Sequence, residues 1–187
     1  MTISPTIDHS LMLALNGDLG AFTDQIMWIL SSKAACAPLV IYALWIAYKH
    51  GSIKNMATCV VVIALMILFA DQVSQLFKYN LSRLRPTHEP MLEGAIHTVN
   101  NYKGGLYGTV SAHAANSFSV ILFCAWIVRQ QWFLIIGIVL CLAICYSRIY
   151  LGVHFPLDIL WGTLLGFTTA IGGIKLKQYA DKILHNR

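Results

Sequence analysis

The stretch SRIYLGVHFPLD, residues 147–158, lies between two apolar runs, FLIIGIVLCLAICY and ILWGTLLGFTTAIGG. It brings Arg148, His154 and Asp158 to the edge of a membrane-type segment, where charge is costly and is retained for a use. Asp158 follows His154 by four residues, one helical turn. Its carboxylate can accept a hydrogen bond from the imidazole and hold the tautomer that leaves the other ring nitrogen free. Side chains of related chemistry recur upstream: Lys78, Arg83 and Arg85 in KYNLSRLRP, then Ser111 and His113 in VSAHAANSF. Lysine and arginine neutralise non-bridging phosphate oxygens, arginine in a bidentate manner. One histidine can attack phosphorus while a second protonates the leaving oxygen. Helix N-termini at about 111 and 155 would add backbone N–H groups for the same anion. The chemistry that suits this set is phosphoryl transfer.

Each member also has an ordinary structural reading. Arginine and lysine at helix ends snorkel to the interface, and His113 can satisfy a neighbouring helix. Asp158 in a first helical turn complements the dipole, and Ser111 reads as an N-cap. None of these readings explains why all of them converge on one face.

The elements that position these residues are apolar helices. The chain has 187 residues, 57% hydrophobic and 11% charged, with mean hydropathy +0.65. Ordinary globular domains carry about a quarter charged residues, so the composition indicates an integral membrane protein. Spans are predicted at about 55–77, 111–128, 132–147 and 156–174, with a shorter one at 34–48. Residues 1–33 form an amphipathic N-terminal segment interrupted at Asn16-Gly17 and Gly20. It reads as an interfacial helix followed by part of a longer first span, which leaves five spans or six. The fold class is therefore all-α, a polytopic membrane helix bundle. Threading the chain from the first span puts Lys49, Lys54, Arg129, Lys175, Lys177, Lys182 and Arg187 on one face. By the positive-inside rule that face is cytoplasmic, and residues 78–110 and 148–154 lie outside. Lys78, Arg83, Arg85, Lys103 and Arg148 form a basic set on the outer face, and the rule alone does not account for it.

The formal charge of +5 falls at helix ends with no basic stripe, which excludes a nucleic-acid partner. The five cysteines, Cys36, Cys59, Cys124, Cys141 and Cys145, lie in or beside apolar segments and read as small buried hydrophobes. The N-terminus lacks the basic start and compact apolar core of a cleaved signal peptide. Asp71 shares a helix face with Ser74 and Lys78 and reads either as functional or as an interhelical hydrogen-bond partner. His88 and His97, with Glu89 or Glu93, fit no standard metal-ligand spacing.

In order along the chain, KYNLSRLRP, SAH and SRIYLGVHFPLD resemble the three signature motifs of the type-2 phosphatidic acid phosphatase family: K-x6-RP, PSGH and SR-x5-H-x3-D. Lys78, Arg85, Pro86, Ser147, Arg148, His154 and Asp158 match. The second motif departs from the pattern, with Val110 for proline and Ala112 for glycine, while Ser111 and His113 are retained. The resemblance implies a metal-independent phosphatase without cofactors, one membrane-embedded domain over residues 1–187. In it His154 is the nucleophile that becomes a phosphohistidine, Asp158 orients it, and His113 is the general acid. Lys78, Arg85, Ser111, the Ala112 amide and Arg148 bind the phosphoryl oxygens. Arg83 is either a head-group or phosphate contact or a solvated loop cation. The family's soluble vanadate-binding haloperoxidases lack this series of spans.

A site at the outer interface suits a lipid phosphate that enters sideways with its tails in the bilayer. The expected location is the bacterial inner membrane, with the active site facing the periplasm and the C-terminus in the cytoplasm. The outer connection at 79–110 is the expected lid or head-group reader. Undecaprenyl diphosphate, phosphatidylglycerol phosphate and phosphatidate are the expected substrate types, with lipid A or phosphoinositol lipids as the alternative. The SAHAANSF form of the second motif resembles that of Bacteroidetes-type members. A non-catalytic protein that merely binds lipid phosphate is the competing reading, and oligomeric state is not legible.

Overall fold

The chain is described by a computed structural model covering residues 5–32 and 34–185, so Arg187 lies outside the described residues. It is all-helical: α1 (Pro5–Leu15), α2 (Ala21–Leu30), α3 (Ala37–Lys49), α4 (Ile53–Leu81), α5 (Ala112–Val128), α6 (Gln131–Tyr150) and α7 (Pro156–His185). Two single 3₁₀ turns, Pro86–His88 and Pro90–Leu92, interrupt the long connection between α4 and α5.

Three of these helices are long and apolar enough to cross a bilayer: Ile53–Leu81, Gln131–Tyr150 and Pro156–Leu184. They make this an integral membrane protein. The 13-residue α3 and the 17-residue α5 are apolar but reach only about 20 and 26 Å at 1.5 Å per residue. The predicted interfacial helix running into a longer first span resolves differently, as α1 and α2, with α3 a separate element after residue 36. The break at 16–20 is the position of a side chain that knits the fold together. The Asn16 amide donates to the carbonyls of Ile149 at 3.0 Å and Tyr150 at 2.8 Å, and its oxygen accepts the His97 N–H at 2.8 Å. This one residue ties the N-terminal segment to the end of α6 and to the connection between α4 and α5.

Helix ends carry the expected punctuation. The Ser52 hydroxyl caps α4 by accepting the Asn55 N–H, and Ser111 caps α5 by accepting that of Ala114. α4 stops at Ser82 and α5 at Arg129, both in the left-handed region, with φ of 46° and 56°. The apolar core lies where α3, α4, α5 and α6 meet, around Ala43, Val62, Met66, Phe123 and Phe133. Cys59, Cys124, Cys141 and Cys145 are buried free thiols.

α5 packs most extensively against α7, and small residues set how closely. In a bilayer there is no hydrophobic drive between helices, so close backbone approach must supply the packing energy. Gly162 and Gly166 lie one turn apart on α7. A Cβ at Gly166 would fall 2.8 Å from both the Ala115 carbonyl oxygen and the Phe118 Cβ. One at Gly162 would run into the Ser111 carbonyl and lie 3.0 Å from the Ala114 Cβ. Gly162→Leu is therefore expected to cost about 1–3 kcal/mol through overpacking, read as a lower unfolding midpoint in detergent. Because the wedge opens beside Ser111, hydrolytic activity is expected to fall further than stability does.

Candidate active site

Four helix ends and one bridged loop bring the predicted residues together. Lys78 is on the last turn of α4, and Arg148 on the last turn of α6. Ser111, Ala112 and His113 open α5, and Asp158 is in the first turn of α7. Arg83 and Arg85 flank Leu84, which pairs with Tyr107 as an isolated antiparallel bridge. The Arg85 N–H donates to the Leu106 carbonyl at 3.1 Å and the Gly108 N–H to the Arg83 carbonyl at 2.9 Å. In extended backbone, residues two apart share a face, so this short bridge aims both arginines the same way.

His154 sits in the tight turn between α6 and α7, 1% exposed. The turn passes through Gly152 at φ +73°, where a Cβ would fall 2.5 Å from Ile96 Cγ2. Glycine is needed there for the backbone sign and for the space. The imidazole Nδ1 faces Asp158 Oδ2 at 3.3 Å, and the same oxygen accepts the Phe155 N–H at 3.1 Å. Asp158 thus caps its own helix and addresses the histidine at once. With Nδ1 engaged, Nε2 is left to face a substrate.

Burial, and then the positive charges of Arg85, Arg148 and Lys78, push the His154 imidazole well below the ordinary histidine value. Burial and the neighbouring Arg148 likewise lower Arg85. A depressed histidine resists protonation on acidification. An ordinary histidine is about three-quarters protonated at pH 6, whereas His154 is expected to stay neutral there. The acid limb of kcat/KM arising from His154 should therefore lie below pH 6.5, measurable from initial rates between pH 5 and 8.

The cations leave donors unsatisfied. Arg85 donates Nε to the Tyr107 carbonyl at 3.0 Å, while its buried Nη1 has no partner. Arg148, 3% exposed, donates Nη1 to the Ser31 hydroxyl, while its buried Nε has none. Buried donors without acceptors are rare and costly. Two on adjacent guanidinium groups beside a buried histidine describe a socket for an anion with several oxygens.

One result departs from the sequence expectation, and two settle points it left open or disfavoured. The first amides of α7 are already taken, that of Phe155 by Asp158 and that of Leu157 by Asp8 Oδ1 at 3.1 Å. Of the two helix N-termini expected to face the anion, the α5 terminus is the one left, where the amide of Ala112 has no partner inside the helix. Ala112 is an ordinary first helical residue, so its Cβ does not disturb the turn. Secondly, Asp71 accepts a hydrogen bond from the Asn116 amide across to α5 at 2.8 Å, the structural one of its two readings. Thirdly, His97 meets Asp24 at 3.0 Å rather than Glu89 or Glu93. The sequence reading missed Asp8 and Ser31. Asp8 is buried, 4% exposed, in α1. The available signal was an arginine, Arg83, outside the three-motif pattern and so without an assigned partner.

Residues 54–182, well over half of the chain, match the model of the PAP2 superfamily. This chain belongs to the PAP2 superfamily. Its resemblance to that family, drawn from the three motifs, is borne out. The PAP2 chain is 36% identical over 162 residues to the lipid A 4'-phosphatase of Bacteroides thetaiotaomicron, covering 86% of this chain and 72% of the relative. It is 34% identical over 176 residues to the lipid A 4'-phosphatase of Porphyromonas gingivalis, covering 93% and 74%. Its fold is similar to the crystal structure of a transmembrane PAP2-type phosphatidylglycerolphosphate phosphatase from Bacillus subtilis, with a TM-score of 0.72. That match has 18% identity and covers 96% of this chain and 88% of the other.

Proposed function

We propose that this PAP2 phosphatase removes phosphate from a saccharide-bearing membrane lipid of the lipid A type, through a phosphohistidine on His154. The observation that carries the reaction is the buried His154 with Nδ1 on Asp158, ringed by Lys78, Arg85 and Arg148, two of which hold unpartnered donors. Three fixed cations suit the dispersed negative charge of a phosphoryl group in transit. His154 Nε2 attacks phosphorus as the bond to the lipid oxygen breaks, and His113 gives that oxygen its proton. Water then attacks phosphorus with His113 as base, the P–N bond breaks, and inorganic phosphate leaves. Lys78, Arg85, Arg148, Ser111 and the Ala112 amide hold the phosphoryl oxygens, so no metal is required.

The choice of lipid rests on the two relatives above, which move the lipid A alternative ahead of undecaprenyl diphosphate, phosphatidylglycerol phosphate and phosphatidate. The outer connection supports a polar head group. A cavity of about 320 Å³ is lined by Pro86, Thr87, His88, Glu89, Glu93 and Lys103, directly after Arg85. Carboxylates and hydroxyls of this kind suit sugar hydroxyls better than acyl chains. α3 to α7 serve as five spans, with the site, α1 and α2 at the outer face of the inner membrane. Arg129 and the buried Lys177, held by Asn55 at 2.7 Å and Asp181 at 2.6 Å, belong to the cytoplasmic end.

Phosphate release by detergent-purified protein, with EDTA present, against lipid A, undecaprenyl diphosphate, phosphatidylglycerol phosphate and phosphatidate tests this reading. The expected result is EDTA-resistant release that is fastest from lipid A. Faster release from undecaprenyl diphosphate would return the substrate to the first expectation, and loss with EDTA would overturn the metal-free mechanism.

A further inference from the structure

We propose that Arg83 and Asp8 are positioning residues for this reaction, a bridge that clamps the orienting carboxylate from the side opposite His154. The inference rests on the phosphatase reading above. Arg83 donates Nη1 to Asp158 Oδ1 at 3.1 Å and Nη2 to Asp8 Oδ2 at 2.5 Å. Its guanidinium carbon lies 4.2 Å from the centroid of the Phe155 ring. Both arms of the fork are thus spent on carboxylates and its face on an aromatic ring. Arg85, two residues on, keeps a buried N–H without a partner. Two arginines on one face therefore do different work: Arg85 meets the anion, and Arg83 meets the groups that hold the nucleophile.

Asp8 completes the clamp. Its side chain is 6% exposed, and its other oxygen accepts the Leu157 N–H at 3.1 Å. A single carboxylate from α1 thereby ties down both Arg83 and the first turn of α7, the turn that carries Asp158. Asp158 has Oδ1 on Arg83 and Oδ2 on His154 and the Phe155 N–H. Bonded on both oxygens, it cannot rotate without breaking the bridge, and the His154 ring inherits that orientation. The charged groups that face Asp158 are Arg83 and Arg85 from the bridged loop and Lys78 from α4, with the neutral but titratable His154 beside it. Arg83 is the one of these in ion-pair contact with Oδ1.

A positioning role and a phosphate-binding role predict opposite kinetics. Arg83→Gln is expected to lower kcat about 10- to 100-fold, with KM and inhibition by inorganic phosphate unchanged within about threefold. Arg83→Lys keeps the charge but cannot fork between two carboxylates, and should fall between wild type and Arg83→Gln. It also keeps the test readable if the glutamine variant does not fold. Asp8→Asn should lower kcat in the same sense. The double variant should be no slower than Arg83→Gln alone, because both break one bridge. A raised KM with weakened phosphate inhibition and preserved kcat would make Arg83 a substrate ligand and overturn the proposal. Wild-type kcat in Arg83→Gln, or additive losses in the double variant, would overturn it as well. Wild type and His154→Ala run alongside. A wild type that releases no phosphate sinks the phosphatase reading, whereas an active wild type with an unaffected Arg83→Gln sinks the bridge alone.

Discussion

His154→Ala is expected to lower phosphate release from the lipid substrate by about four orders of magnitude or more, the scale seen when a covalent nucleophile is removed. Affinity should survive. The three cations around the imidazole are held by other parts of the fold: Arg85 by the Tyr107 carbonyl, Arg148 by Ser31, and Lys78 by its place on α4. Inhibition by inorganic phosphate is thus expected to stay within a few-fold of wild type while turnover disappears. Such a split separates loss of chemistry from loss of the socket. Wild type quenched during turnover should carry an acid-labile, alkali-stable phosphoryl group that the variant lacks. Turnover in His154→Ala above about one per cent of wild type would mean that water attacks phosphorus directly, with the imidazole as base or as filler. The present geometry speaks against that arrangement. His154 is 1% exposed and its Nδ1 is spent on Asp158, which leaves one ring nitrogen uncommitted and the ring shielded from bulk water.

What the sequence made legible follows from where helix ends carry charge. Lys78 at the end of α4, His113 in the first turn of α5, Arg148 in the last turn of α6 and Asp158 in the first turn of α7 were each placed by an apolar run stopping at a polar residue. That logic works because a bilayer leaves few other places for charge. It fails for the N-terminal segment. Asp8 is 75 residues from Arg83 and 149 from Leu157, and nothing local distinguishes a buried acid on a docked helix from a solvated one on an interfacial helix. Asn16 was read as a breaker because asparagine before glycine favours a turn. Its side chain serves as a hub, and those partners lie 81 to 134 residues away. The α5–α7 contact is a different case. Gly162 and Gly166 form a small-xxx-small spacing in an apolar run, the known mark of close helix packing in membranes. That spacing is legible in the sequence, but it does not say which helix the glycines face.

His113→Ala is expected to separate substrates by their leaving groups. A general acid contributes about 10²–10⁴-fold when the departing oxygen is a poor leaving group, as a sugar or alkyl alkoxide is. An aryl phosphate whose phenolate departs without a proton has no need of it. In the variant, lipid phosphate hydrolysis should therefore fall by that factor at the first step, with no phosphoenzyme accumulating. The aryl ester should still phosphorylate His154 at close to the wild-type rate. Dephosphorylation should then become the slow step, because in the proposed mechanism His113 is also the base that takes the proton from water. A burst of phenolate equal to the enzyme concentration, followed by a slow steady state, is the expected trace. Its position supports both roles. His113 stands in the first turn of α5, two residues after the Ser111 cap. The Ser111 backbone N–H is itself bonded to the Asp158 carbonyl at 3.0 Å, so the α5 start and the His154–Asp158 pair are held as one unit. Equal losses on both substrates without a burst would make His113 a ligand of the phosphoryl group rather than its proton carrier. The leaving oxygen would then have to take its proton from another donor in the site.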